Sequence, residues 1–525
     1  MKLLRQHSML WFSWLLLLGI TFSGCDDKDD PIPPSSVQIL SPETNGAFFV
    51  GEEVTFVGDA QDAQSYTWEI NGEELSTDIS FTYSFTAEGE YNIAFNAINE
   101  SGSISDVVTL QVNSGVQING MSENEFYLVG DTISLFANIE NPALTSFKWV
   151  VHDEVLSDSL TFKYVLRDVG LQQITFTAQG TDYASVLTQQ VEVAPLLGGA
   201  LIVNEGNMSN EMGSVSFLQR GGNTLFTNAY ASLNPGKTLS NVTQSASYFG
   251  DYVYFISQNG PNYIIVADKE TLVAVDSITT SDVSLSWPTH LAMVSTTKGY
   301  VRDNNGISII DFSAKSVTNI SGVGAAKAQP IVIGNKLFTY SGSNLYVVDI
   351  TTDQLIHTET FGSSIGGFAE ATDGNLWVAQ SGTPSTLLKV ASSDYTTLKE
   401  IEMPEGVNLN AGWTGSSNIM PSHTTENVFV RPSGKKQIYL VDLSTTTPTV
   451  SLFSDLSTWS DEETGIIYGE PNVDPVSNDI YIMGIKGYGM DYLINALFII
   501  DGSTGNQKQK LTGVGSFPAM VLFSE

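Results

Sequence analysis

Gly362-Ser-Ser-Ile-Gly366 places a serine in the spacing of a hydrolase nucleophile elbow. That chemistry requires a sharp strand-to-helix turn that lifts the hydroxyl toward a general base. Short apolar strands flank these residues on both sides, so a plain turn between strands is expected. His7, His152, His290, His357 and His423 stand singly, without the pairing that brings two imidazoles to one metal ion. His7 falls in the segment read below as a signal peptide, and surface or internally satisfied loop positions are expected for most of the other four. Asp461-Glu-Glu463 lacks the spaced oxygens of a calcium loop and reads as solvated, so no metal is assigned. Cys25 is the only cysteine among 525 residues, which excludes disulfides and thiol catalysis. No cofactor is implied, and the chain reads as a non-enzyme.

The remaining chemistry is that of holding a ligand. Five long segments, residues 228–244, 279–290, 404–422, 454–475 and 484–495, carry Trp287, Trp413, Trp459, Tyr468, Tyr488 and Tyr492 together with Asn408, Asn410, Asn418 and Asp491. Aromatic rings cover an apolar ligand face, while amides and carboxylates meet its polar rim. Any one of these aromatics could simply order its own loop. As a set on a rigid scaffold they form a concave binding face.

The scaffold is a repeat. A strand that tends to end in Asp recurs at residues 214–218, 263–268, 307–311, 345–349, 387–391, 438–442 and 497–501, usually after another short strand and a polar turn. Seven copies between Leu201 and Phe523 average about 46 residues each, the length of one four-stranded propeller blade. The expected fold is all-β, with a seven-bladed β-propeller over residues 198–525. The first copy opens at residues 200–204 with no inner strand before it, and the chain finishes on a lone strand at 519–523. The last strand is therefore expected to complete the first blade, closing the ring and removing an exposed sheet edge.

Two shorter copies precede the ring. Val50-Gly-Glu-Glu-Val-Thr-Phe56 parallels Val129-Gly-Asp-Thr-Ile-Ser-Leu135, and Tyr66-Thr-Trp68 parallels Phe147-Lys-Trp149. Their alternating strands and turn signals predict two tandem β-sandwiches, residues 37–114 and 115–195. They resemble PKD and related Ig-like modules, although Trp68-Glu-Ile-Asn-Gly72 stands where the Trp-Asp-Phe-Gly-Asp-Gly signature of true PKD domains would be. Modules of this kind are expected to act as spacers. With 57 acidic against 22 basic side chains, the net charge of −35 argues against nucleic acid and anionic lipid surfaces as partners.

Lys2 and Arg5 precede an apolar run, Met9 to Phe22, too short for a comfortable membrane span, so residues 1–24 read as a signal peptide. Thr21-Phe-Ser-Gly-Cys25 resembles a bacterial lipobox, which implies lipidation at Cys25. Residues 25–36 then form an acidic and Pro-rich tether. Asp26-Asp-Lys-Asp-Asp30 is similar to the signal that sends lipoproteins of some Gram-negative gut bacteria outward. In an enterobacterium the same acids would imply inner-membrane retention. The favoured location is the outer membrane, lipid-anchored and facing the exterior.

Leu201-Ile-Val-Asn204-Glu205-Gly206-Asn207, with Gly213-Ser-Val-Ser-Phe217 and Ser247-Tyr-Phe-Gly-Asp-Tyr-Val-Tyr254, resembles the opening of surface propeller lipoproteins that capture cobalamin above a TonB-dependent outer-membrane transporter. The resemblance covers the ring alone, and Met208 stands where relatives place an aromatic. It implies capture of a small-molecule nutrient, a corrinoid such as cobalamin ahead of a glycan, with a transporter as possible partner. A glycan-binding protein and an adhesion or scaffold protein remain as alternatives.

Overall fold

The computed structural model describes residues 32–120, 127–181, 183–208, 210–411, 419–458 and 465–524. Cys25, the acidic run, Trp413, Asn418, Trp459 and Asp461 to Glu463 lie outside the described residues.

The first repeat pairs a three-stranded sheet, with Glu53–Gln61 between Ser36–Ser41 and Ser80–Ser84, with a five-stranded sheet containing Ser65–Ile70, Gly89–Asn99 and Gly102–Asn113. Inward residues of both sheets form one core around Phe56, Trp68 and Phe95. The Trp68 indole N–H donates to the Asp78 carbonyl oxygen at 3.0 Å, so the one polar atom of a fully buried ring is satisfied. The second repeat has the same five-plus-three arrangement. Trp149 takes the equivalent place, donating to Ser159 O at 2.9 Å.

From Gly199 onward the chain is a succession of antiparallel meanders. Five four-stranded sheets begin at Thr243–Phe249, His290–Met293, Ile331–Ile333, Ile365–Glu370 and Ile419–Pro421. A sixth sheet of eight strands has the final strand, Pro518–Phe523, near its middle. That strand pairs antiparallel with Gly199–Asn204, Ala200 facing Phe523 and Val203 facing Met520. A single parallel bridge, Glu470 to Met520, ties it to Ile466–Val473. The terminal strand thus takes the expected position beside residues 200–204. Middle strands such as Ile480–Ile485 and Asn495–Ile500 are buried along their whole length, because neighbouring sheets cover both faces. Outermost strands alternate, as Gln354–Thr360 does.

The recurring Asp has a local cause. At the end of the third strand of a meander its carboxylate accepts the amides of the following turn: Asp268 from Glu270 and Thr271, Asp349 from Thr351 and Thr352, Asp501 from Ser503 and Thr504. These bonds stand in for the backbone pairing that a tight turn cannot make. The Ser503 hydroxyl and amide hold the Asp501 carboxyl at about 2.

Sandwich and ring are welded together. Val193 and Leu196 at the end of the second sandwich share one hydrophobic core with Leu201, Phe217, Tyr230 and Leu233. Tyr230 and Leu233 belong to the short helix Ala229–Leu233. Residues 228–244, expected to contribute a binding loop, therefore begin as packing against the second sandwich. Gly130 is held at φ 97°, and a Cβ there would lie 2.5 Å from the Phe226 ring, so glycine permits the approach. The first sandwich joins through Asn141, whose buried amide donates to Val50 O at 2.9 Å.

Candidate functional site at the axial mouth

The segment Asn204-Glu-Gly-Asn207 crosses one end of the inner strands, and three backbone bonds fix it there. Glu205 N donates to Phe517 O at 2.9 Å, Gly206 N to Ser516 O at 3.0 Å, and Thr243 N to Glu205 O at 3.2 Å. Asn204 is buried and structural, its amide reaching Ser214 Oγ at 3.2 Å and Val514 O at 3.1 Å. Gly206 has φ 72°, and a Cβ would meet the Met212 carbonyl oxygen at 2.4 Å, so only glycine lets the chain turn here. Asn207 donates from Nδ2 to the Tyr492 hydroxyl at 3.4 Å.

Beneath this segment lies a cavity of about 520 Å³, lined by Glu205, Gln244, Gln258, Trp287, Arg302, Asn304, Lys327, Tyr468 and Phe517 among others. A chain of hydrogen bonds orients its floor: Gln258 Nε2 donates to Gln244 Oε1 at 2.6 Å, and Gln244 Nε2 donates to Glu205 Oε1 at 3.1 Å. The Tyr468 hydroxyl donates to the same Glu205 oxygen at 3.0 Å. Burial raises the Glu205 carboxyl above its ordinary value, opposed by Lys327 and by the Tyr468 and Gln244 hydrogen bonds. Burial likewise lowers the Lys327 ammonium, which Glu205 and Glu470 pull back toward the charged form. Lys327 feels both carboxylates yet makes no hydrogen bond to either. In the wall behind, His290 is fully enclosed, one ring nitrogen 3.1 Å from Glu470 Oε1 and the other 2.9 Å from Thr289 Oγ1.

Three residues at the mouth hold unusual backbone. Val242, Trp287 and Phe517 have φ of 54°, 53° and 52°, a left-handed conformation that costs a β-branched or bulky residue on the order of 1–2 kcal/mol. Val242 and Phe517 directly precede inner strands and Trp287 stands three residues before one. The turn drops the chain into the strand and leaves the side chain over the cavity. Such strain concentrates where a surface is built for binding.

The predicted aromatics divide accordingly. Trp287 lines the cavity and is 42% exposed. Tyr488 is exposed near Phe517, with ring centroids 6.4 Å apart. Tyr468 lies on the strand Ile466–Val473, not in a loop, and turns its hydroxyl into the cavity wall. Tyr492 is buried and stacked on Phe517 at 4.2 Å, so it supports the mouth and does not face solvent. Asp491 lies in a short 3-10 turn, 3.7 Å from the Lys486 ammonium. Asn408 and Asn410 are exposed, and neither lines the mouth cavity. Gly362 to Ser364 form a bend leading into the strand Ile365–Glu370, which holds Ile365 and Gly366, so no strand-to-helix turn is present there. His290, expected at a surface or loop, is instead an inner-strand residue of the wall. Sequence reading missed Gln244, Gln258, Arg302 and Lys327, the first three of which stand among other polar residues and so do not draw notice. Their one common signal is position, on or just before the inner strands or at the end of the second.

A ring of antiparallel meanders with a strained, polar cavity at one end of its inner strands defines a propeller-like fold. Residues 198–524 match the family described as domain of unknown function DUF5074, and the chain belongs to that family. Residues 34–99 match the PKD-like domain family. No curated protein matches. Among solved structures, a quinonprotein alcohol dehydrogenase-like protein from Bacteroides thetaiotaomicron shares 15% identity at a TM-score of 0.53, covering 76% of this chain and 96% of its own. A putative 6-phosphogluconolactonase from Bacteroides uniformis shares 13% identity at a TM-score of 0.43, covering 62% and 98%. The first of these likenesses establishes a shared fold.

Proposed function

We propose that this chain is a non-catalytic, lipid-anchored surface protein whose ring, read as seven-bladed, captures a nutrient at the axial mouth, a corrinoid such as cobalamin first, for a TonB-dependent transporter. The observation that carries the reading is a polar well inside an apolar rim. Met208, Trp287 and Tyr488 are exposed around the opening, while Gln244, Gln258 and Lys327, whose ammonium has no hydrogen bond among the described residues, line the well. A corrinoid is a broad, largely apolar disc edged with amides. Its face would rest on the rim, and part of its edge would enter a well too small for the whole molecule. The acid–base groups are spent on one another: both His290 nitrogens are engaged in the wall, and Glu205 is bonded to Tyr468 and Gln244. That favours binding over turnover.

Cyanocobalamin is coloured, so its co-elution with the protein on gel filtration tests the reading directly. Binding that is lost on mutation of Trp287 supports it. Calorimetry against a polysaccharide panel tests glycan capture, and failure of both ligand classes at micromolar concentration moves the protein to an adhesion or scaffold role. The anchor has its own test: Cys25→Ala should release the protein from the membrane, and replacing Asp26, Asp27, Asp29 and Asp30 by Ala should hide it from external protease.

A further inference from the structure

An ion pair stands open in the mouth cavity. Burial disfavours the Lys327 ammonium, and Glu205 and Glu470 stand near enough to draw it back toward the charged form, yet it makes no salt bridge among the described residues. Each carboxylate has other commitments. Glu205 Oε1 accepts from Tyr468 and Gln244, and Glu470 Oε1 lies 3.1 Å from the His290 ring. Arg302 steadies the segment that carries Lys327, its Nε donating to Ala325 O at 3.3 Å and to Ala326 O at 3.0 Å. Its Nη1 lies 3.4 Å from Thr289 Oγ1 and 3.5 Å from Asn304 Oδ1, which leaves Nη2 unused.

Around this gap both halves of a hydrogen bond are on offer. Lys327 Nζ and Arg302 Nη2 are donors, Glu205 Oε2 and Gln258 Oε1 are acceptors, and none of the four has a partner among the described residues. All belong to residues that line the cavity. None is enclosed, in contrast to Asn204 Oδ1, which is unpartnered and sealed inside the protein. Two carboxylates here face two cations, so an ion entering the well sheds its water without meeting a net counter-charge. A neutral group that both donates and accepts satisfies the open pair at a lower desolvation cost. The half-exposed Trp287 ring lines the same space and offers a planar ligand a face to cover while its edge reaches the pair.

We propose that the mouth reads a neutral, planar carboxamide, its carbonyl oxygen accepting from Lys327 and Arg302 and its N–H groups donating to Glu205 and Gln258. The corresponding acid and amidinium are discriminated against. This inference rests on the mouth being a binding site, as proposed above, and not on which nutrient fills it.

Benzamide, benzoate and benzamidine share one planar shape and differ in charge, and saturation-transfer NMR with each on the intact protein tests the assignment. Benzamide is expected to bind at least threefold tighter than either ion. Lys327→Gln should weaken benzamide at least threefold and shift the preference toward benzamidine, whereas Glu205→Gln should shift it toward benzoate. Opposed shifts cannot arise from a shared loss of structure. Lys269→Gln, which removes an equal charge from a residue outside the mouth, should leave the order unchanged. Equal or tighter binding of either ion, no transfer to benzamide, or the same response in both mouth variants overturns the proposal. Preference for benzamide without co-elution of cyanocobalamin supports it while removing the corrinoid, and co-elution of cyanocobalamin without that preference overturns this inference alone.

Discussion

Trp287 and Tyr492 were indistinguishable by type, and their surroundings give them opposite duties. Trp287→Ala is expected to weaken ligand binding by about 1–3 kcal/mol with little change in unfolding free energy, because the ring is half exposed over the cavity. Tyr492→Ala should cost about 3–5 kcal/mol of stability, since it removes a buried ring stacked on Phe517. Calorimetry and urea denaturation of the two variants separate these effects. Glu205 makes a third case. Its carboxyl is raised above the ordinary value near 4.5, so the folded chain holds that proton more tightly than the unfolded chain. Its contribution to stability is therefore full below about pH 4.5 and declines as pH rises through the raised value. Lys327, lowered from 10.5, has the opposite sign in the alkaline range, its contribution growing as pH rises toward 10.5. In Glu205→Gln the decline above pH 4.5 should disappear from urea midpoints measured against pH. An unchanged slope would show that the carboxylate is already well compensated.

At the level of strands, the recurring Asp and the unpaired segments at both ends of the repeat made the architecture readable, because turn chemistry and edge pairing are local or nearly so. The mouth was far less readable. Gln244, Arg302 and Lys327 acquire a role only when inner strands from separate meanders are brought round one axis, and nothing in their neighbours along the chain marks them. Conversely, Tyr468 was assigned to a loop because the polar stretch before it hid the short strand Ile466–Val473. The terminal strand shows how much one element can matter. Removing residues 516–525 deletes buried Ala519 and Val521 and uncovers the edge of Gly199–Asn204. The expected loss is on the order of 5 kcal/mol or more, counting about 1.5–3 kcal/mol for each large side chain uncovered, and is measurable as a fall in the urea midpoint. A midpoint near that of the intact protein would mean that the ring does not depend on this pairing.

For the molecule as a whole, the continuous core from Val116 to Leu272 makes the second sandwich and the start of the ring one cooperative body. Leu233→Ala, in the helix between them, should cost about 2–4 kcal/mol. It should lower a single calorimetric transition that reports both parts, with amide exchange accelerating on either side of the junction. Two separable transitions, with only one shifted, would show that the second sandwich and the ring unfold independently. A rigid junction also means that the mouth cannot swing freely about residue 196. Its orientation relative to the second sandwich is built in.

Ring closure also sets an order of manufacture. The amide of Gly199 bonds to Ser524, 325 residues later in the chain. At a synthesis rate of about 5–20 residues per second, the strand beginning at Gly199 waits roughly 15–65 s for its partner to be made. Throughout that interval its edge is a bare template for any passing strand. Both sandwiches can fold as they emerge, but the ring is finished only once Pro518–Phe523 has been made, and a chain that stops short of it leaves its first blade open.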